Sequence, residues 1–156
     1  MKFVFTLLLI SFSSVSFSQM TFNDIIKIYK MDMDQFEEYA IIRGYDFFEF
    51  IREDKRNGVS YTKGEGKETR YLNLCDIYLD YGKTVQFQTG VSSEILRIKT
   101  EIKKYGYKLY DSYFLENKNT KVDGYRNGKF ELSIYTVPPG DESNNYVAYV
   151  VDYHRY

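Results

Sequence analysis

Gly44-Tyr45 recurs as Gly106-Tyr107, 62 residues further on, and the hydrophobic periods around the two dipeptides run in the same order. At that shift Phe36 falls on Ile98, Ala40 on Ile102, Asn57 on Asn119, Val85 on Val147 and Phe87 on Tyr149. A shift of 60 brings Leu72 onto Leu132 and Leu74 onto Ile134. Several anchors at nearly one offset are the signature of a unit written twice. Each unit reads as a helix followed by four strands, over 22–90 and 91–156. One such unit cannot bury both its helix and its sheet edge. The expected fold is therefore α+β, a duplicated α-β-β-β-β unit with helices on one face of a mostly antiparallel sheet. The other face of the sheet is then free to meet water.

The helical stretches follow from spacing. Phe22, Ile25, Ile26, Tyr29 and Met33 recur as one face of a helix, with Asn23 or Asp24 as the expected cap. Asp32 and Asp34 interrupt it, and Phe36, Tyr39, Ala40 and Arg43 continue a second stripe that Gly44 ends. In the second half Ile95, Ile98, Ile102 and Tyr105 mark a helix capped by Ser92 or Ser93 and stopped by Gly106. Strands are predicted over 45–51, 58–63, 71–79 and 84–89, then over 107–115, 121–126, 129–137 and 146–153. Asn57-Gly58 and Asn127-Gly128 read as turns, the latter being the strongest hairpin signal in the chain. The first helix has no counterpart in the second half. Segments 63–70 and 138–145 read as solvated loops.

The start of the chain bounds the compartment. Met1-Lys2 is a short basic start, Phe3 to Ile10 is apolar apart from Thr6, and five serines follow by Ser18. Small residues at Ser16 and Ser18 suit a signal peptidase, so a cleavable signal peptide over 1–18 is expected, cut after Ser18. The apolar run falls short of the roughly 20 residues that a spanning helix needs. Removing 18 of the 156 residues leaves 138, the size of one domain over 19–156. Lys2 leaves with the signal, so 20 of the 21 basic residues remain against 22 acidic ones. Interspersed, nearly balanced charges argue against nucleic acid and against an acidic membrane surface as partners. The expected location is secreted or periplasmic, with no membrane span after cleavage. Cys75, the lone cysteine, cannot form an internal disulfide. It reads either as a packed small hydrophobe or as a thiol for intermolecular pairing or reaction.

No residue pattern points to catalysis, to a metal or to a cofactor. His154 would need a nucleophile or carboxylate held against it. Asp32, Asp34, Glu37 and Glu38 lack the alternation of a calcium loop and read as a helix cap with an acidic first turn. Gly64-Glu65-Gly66 is too short and too charged to cradle phosphate. What stands out is tyrosine, with all 17 beyond Ser18 and no tryptophan in the chain. If Leu72, Leu74, Leu132, Ile134, Val85, Phe87, Val147 and Tyr149 face the helices, strand alternation sends their neighbours to the other face. The expected binding residues are therefore Tyr71, Asn73, Gln86, Gln88, Ser133, Tyr135 and Tyr146, and Cys75 is expected on the same face. Rings with hydroxyl handles beside amides are the composition of protein interfaces and paratopes.

The Ser-Phe-Ser-Gln junction, and a helix pair carrying Asp34, Phe36, Glu37 and Tyr39 before Gly44-Tyr45, resemble the uncharacterised small exported proteins of flavobacteria-type bacteria. In element order alone, residues 22–156 resemble the β-lactamase inhibitory protein. That resemblance implies a polar-aromatic sheet face that grips a protein. The inhibitor's disulfides have no counterpart here. The function expected first is non-enzymatic binding of a protein partner, or alternatively of a glycan. Two alternatives stay open. One is a structural subunit that self-associates into a homo-oligomer through a sheet edge or Cys75. The other is an envelope hydrolase built on two carboxylates facing each other across a cleft.

Overall fold

The first helix begins because Thr21 accepts a hydrogen bond from the Asp24 amide while the Asp24 carboxylate answers the Thr21 amide. In the computed structural model, which describes residues 19–77, 82–116, 119–140 and 146–155, helix α1 spans Phe22–Tyr29 and α2 spans Met33–Ile42. The expected signal segment 1–18 lies outside the described residues, as do the end of the 71–79 strand and part of the 138–145 loop. Strands β1 Asp46–Glu53, β2 Arg56–Lys63, β3 Arg70–Ile77 and β4 Gly82–Thr89 follow, with a 3-10 turn at Gly66–Glu68 between β2 and β3. Helix α3 Ser92–Lys104 opens the second half, which continues through β5 Lys108–Phe114, β6 Lys121–Asn127, β7 Phe130–Val137 and β8 Ala148–Arg155.

The eight strands form one sheet in the order β1-β2-β3-β4-β8-β7-β6-β5, antiparallel throughout. Each half is a four-stranded meander, and the halves join edge to edge along β4 and β8. The α+β fold with helices on one face is thus what the chain adopts. Helix α1 lies over β4 and β8 and against α3, so the element without a counterpart covers the seam between the halves. Phe22 sits there, fully buried, with its ring edge-on to Tyr105, Tyr107 and Tyr153. The core beneath the helices takes Ile25, Phe36, Ala40, Leu72, Leu74, Val85, Phe87, Ile98, Ile102, Leu132, Ile134 and Val151. Burying each large apolar side chain is worth about 1.5–3 kcal/mol. Among the described residues no helix is long and apolar enough to cross a membrane.

The duplication extends to detail. Both α2 and α3 end in a six-residue reverse bond, Tyr45 amide to Ala40 carbonyl and Tyr107 amide to Ile102 carbonyl. Gly44 and Gly106 supply the positive φ that this ending requires, at 74° and 79°. The cap carbonyl of each helix is then held from the second strand of its half, Arg43 by the Lys63 ammonium and Tyr105 by the Asn127 amide. The first strand of each half also carries a bulge at the equivalent place, between Phe47 and Glu49 and between Leu109 and Asp111.

Five expectations change. Thr21 caps the first helix, not Asn23 or Asp24, because Asp24 is the third residue of a capping box. Neither Ser92 nor Ser93 caps α3: Val91 holds the cap position, with its amide bonded to the Thr89 hydroxyl. Asn57-Gly58 is no turn. Both residues lie inside β2, and the chain reverses at Asp54 and Lys55, because Gly58 leaves the space that Cys75 on β3 occupies. Finally, the fourth strands superimpose at a shift of 66. Leu72 pairs with Phe87 and Leu74 with Val85, while Leu132 pairs with Tyr153 and Ile134 with Val151. Val85 therefore corresponds to Val151, not Val147, and Phe87 to Tyr153, not Tyr149, because the 138–147 connection outgrew its counterpart. Asn57 and Asn119 do not correspond either, since Asn119 stands outside the strands with φ 47°.

Candidate functional site

No described element covers the sheet face opposite the helices. Residues paired across a ladder share a face, so the register draws the surface row by row. One row runs Thr62, Tyr71, Gln88, Val150, Tyr135, Val122 and Tyr113. The next runs Glu49, Ser60, Asn73, Gln86, Asp152, Ser133, Gly124 and Asp111. The third runs Gly58, Cys75, Thr84, His154, Glu131 and Arg126.

Six of the seven predicted residues are brought together by this register. Tyr71 and Asn73 on β3, Gln86 and Gln88 on β4, and Ser133 and Tyr135 on β7 fall in two adjacent rows across four strands. All are half-buried except Ser133, which is buried. Strands lie about 4.8 Å apart, so the cluster is about 15 Å wide. The Tyr71 ring is flanked by Phe48, which the β1 bulge turns onto this face at 5.3 Å between centroids. Tyr146 stands apart, before β8. Its ring packs on Gly90 and its hydroxyl donates to the Gly66 carbonyl at 2.9 Å, bracing the connection between β2 and β3. Burial pushes the Tyr135 phenol up, with Asp152 adding to the effect.

The predicted residues themselves carry no charge, and the tyrosine row meets charge only at Asp46, opposite Thr62 at its β1 end. Asp152, His154, Glu131 and Arg126 occupy the opposite side, because β8 presents residues 152 and 154 here. Asp152 accepts from the Thr84 hydroxyl, and from the Gln86 amide at 3.2 Å. His154 Nδ1 stands 3.7 Å from Asp152 Oδ1. Asp152 raises the His154 pKa against the opposing effect of burial. Burial alone would raise Asp152, but His154, Thr84 and Gln86 bring it below the ordinary carboxylate range. Glu131 receives the Tyr110 hydroxyl at 2.6 Å and two Arg126 nitrogens at 3.0 Å, and it too lies below its ordinary value, against its burial. The alternation of Val151, Asp152, Tyr153 and His154 was the sequence signal for this cluster, but it carries no weight until the strand's register is known.

These two carboxylates do not suit glycoside hydrolysis. A general acid needs a raised pKa, whereas both are lowered and both are filled by donors. Cys75 is fully buried under the face, and burial pushes its thiol up to about 11. It behaves as the packed hydrophobe of the two sequence readings. Among the described residues no group of three or more His, Cys, Asp or Glu side chains is placed to hold a metal ion.

A concavity of about 560 Å³ is lined by Gly44, Lys63, Gly64, Glu65, Glu68 and Arg70. Its cations already have structural tasks. Lys63 holds the α2 cap, and Arg70 grips the fully buried Glu94 at 2.9 Å and the Glu68 carbonyl at 2.9 Å. No family model matches the chain, and neither a curated protein nor a solved structure matches it.

Proposed function

We propose that this chain is an exported, non-enzymatic binding protein that engages a protein partner with the open face of its sheet. The observation that carries the reading is the register that lines up Tyr71, Gln88 and Tyr135 in one row, and Asn73, Gln86 and Ser133 in the next, on a face with no described element over it. Tyrosine rings give large contact area with few torsions to freeze, and amides adapt their hydrogen bonds to what docks on them. The basic start, the apolar run and the small residues at Ser16 and Ser18 support export.

The test uses the mature chain and a Tyr71→Ala/Tyr135→Ala variant that keeps its circular dichroism spectrum. A protein captured from the host envelope is purified and titrated against both. Interface tyrosines that anchor binding cost about 2 kcal/mol or more each on truncation, so the double variant is expected to bind at least 100-fold more weakly. Equal affinity would move the site off this face.

Self-association has an observation of its own. The outermost strands expose Phe47, Phe50, Leu109, Tyr113 and Phe114 along unpaired edges. Sedimentation of the mature chain separates the two readings. A monomer at high micromolar concentration would remove the structural one.

A further inference from the structure

The two halves share a single strand ladder, β4 against β8, and the open side of that ladder is held by one carboxylate. The equivalence of β4 and β8 at a shift of 66 makes Gln86 and Asp152 counterparts, and they face each other directly. The pseudo-twofold axis of the sheet therefore passes between them. Asp152 takes both its close donors, Thr84 and Gln86, from the first half. Its remaining neighbour is His154 on its own strand.

We propose that Asp152 and His154 form a proton-controlled latch on the open face, closed across the seam between the halves when His154 is protonated and loosened when it is not. The inference is independent of what docks on the face. With His154 charged, the imidazolium balances Asp152 and holds it toward Thr84 and Gln86. With His154 neutral, Asp152 keeps its two neutral donors and the more remote pull of the Arg56 guanidinium, but it loses the cation beside it in a half-buried site.

The groups facing His154 are few. Asp152 lies on its own strand. Glu131 is opposite on β7, already paired with Arg126 on β6 and with the Tyr110 hydroxyl on β5. Uncharged Thr84 is opposite on β4. The Cys75 thiol stands one strand beyond Thr84, and from that side the Arg56 guanidinium, ion-paired with Glu53, acts on both Cys75 and Asp152. The helices are on the other side of the sheet, so no helix charge reaches the pair directly.

The sign follows from linkage. A histidine whose pKa is raised in the closed form stabilises that form fully below its free value near 6.5. The contribution is lost as the pH climbs through the raised value. Seam opening must therefore increase across that window. The factor is fixed by linkage at tenfold for each unit that separates the His154 pKa in the closed and open forms.

The experiment measures both sides of that equality on the mature protein. Proton NMR of His154, the single histidine, gives its pKa. Amide exchange of β4 and β8, corrected for intrinsic pH dependence, gives the opening equilibrium from pH 5.5 to 8.5. The expected result is an opening ratio that matches the measured pKa elevation, and its disappearance in His154→Gln. A flat opening profile beside an elevated pKa would overturn the latch, because the pair would then survive in the open form. A profile unchanged in His154→Gln would also overturn it, by giving the effect to another group. Should His154→Gln fail to fold, Glu131→Gln serves instead. It lowers the His154 pKa by removing the second carboxylate, and the opening ratio must shrink in step or the proposal fails.

Discussion

Replacing Gly58 with alanine tests the least expected feature of the sheet, a half-buried glycine inside a strand where the sequence suggests a turn. A Cβ at Gly58 would lie 2.1 Å from the Leu74 carbonyl oxygen and 2.7 Å from both Cα and Sγ of Cys75. Two of these three atoms are backbone of the neighbouring strand, so no side-chain rotation relieves the clash. The strands must part locally, losing one or two ladder bonds at about 1 kcal/mol each, on top of overpacking strain of about 1–3 kcal/mol. The stiffer unfolded chain returns about 0.4–1 kcal/mol. The net loss is about 1–5 kcal/mol, centred near 3 kcal/mol.

Gly124 is the control, because it faces the same side of the sheet and its close neighbour is a side chain rather than backbone. Its added Cβ would meet the Tyr110 ring at 2.9 Å. That ring is 45% exposed and can swing away at the cost of its hydrogen bond to Glu131 and its cation–π contact with Arg126, a loss that the stiffer unfolded chain partly offsets. Gly124→Ala should therefore cost no more than about 1 kcal/mol. Urea unfolding followed by circular dichroism and tyrosine fluorescence gives both values, and the two variants should melt about 8 °C apart at 3–4 °C per kcal/mol. Equal stabilities, or a Gly58→Ala loss below about 1 kcal/mol, would refute the pairing of Gly58 with Cys75 and restore the turn at Asn57-Gly58.

Three further outcomes are expected. Glu94→Gln should cost about 3–5 kcal/mol in chemical denaturation, because the fully buried carboxylate is the partner of both Arg70 and the Thr89 hydroxyl. Burial alone would raise the Asp123 pKa, but hydrogen bonds from Lys121, Lys99 and Ser112 carry it down to about 2. Its contribution is therefore present above its ordinary value near 3.9 and lost as the pH falls toward 2. The acid limb of stability should flatten in Lys99→Met, and an unchanged limb would count against the pairing. Cys75 should resist thiol reagents at pH 8 in the folded protein and react at once in urea. Labelling of the folded chain at the rate of a free thiol would show that its burial is wrong.

The fold was legible where the signal is local and strong. Gly44 and Gly106 mark helix ends by the backbone angle they supply, and alternation placed Leu72, Leu74, Leu132 and Ile134 on the core face without knowledge of partners. Caps were legible less often, since Asp24 has the right chemistry for a cap but bonds back to Thr21 as the third residue of a box. Register was the limit. Pairing depends on which residues of distant strands meet, and a loop that grows by a few residues moves the pairing without changing either strand's own pattern. This is why Val147 stood in for Val151. It is also why Asp152 went unnoticed beside tyrosines that the same alternation had found, and why His154 was weighed without the carboxylate that stands against it. Asn57-Gly58 failed for a related reason. A glycine required by close approach looks, in one dimension, like a glycine required by a turn.

The seam also explains why the duplicated halves had to diverge where they did. Identical halves would place one residue against its own copy on the axis. Two aspartates there would repel in a half-buried site, and two glutamines would leave the Thr84 hydroxyl with weaker acceptors. Gln86 opposite Asp152 resolves this with a donor facing an acceptor. The same divergence makes the flanking pairs unlike, with Thr84 opposite His154 on one side and Gln88 opposite Val150 on the other. A sheet symmetric in its backbone is thereby given two different ends on its open face, one charged and hydrogen-bonded, the other aromatic and neutral. Under the proposed function, a partner docked on that face would meet it in only one orientation without burying a mismatched charge, so specificity would arise from the departures from symmetry rather than from the repeat.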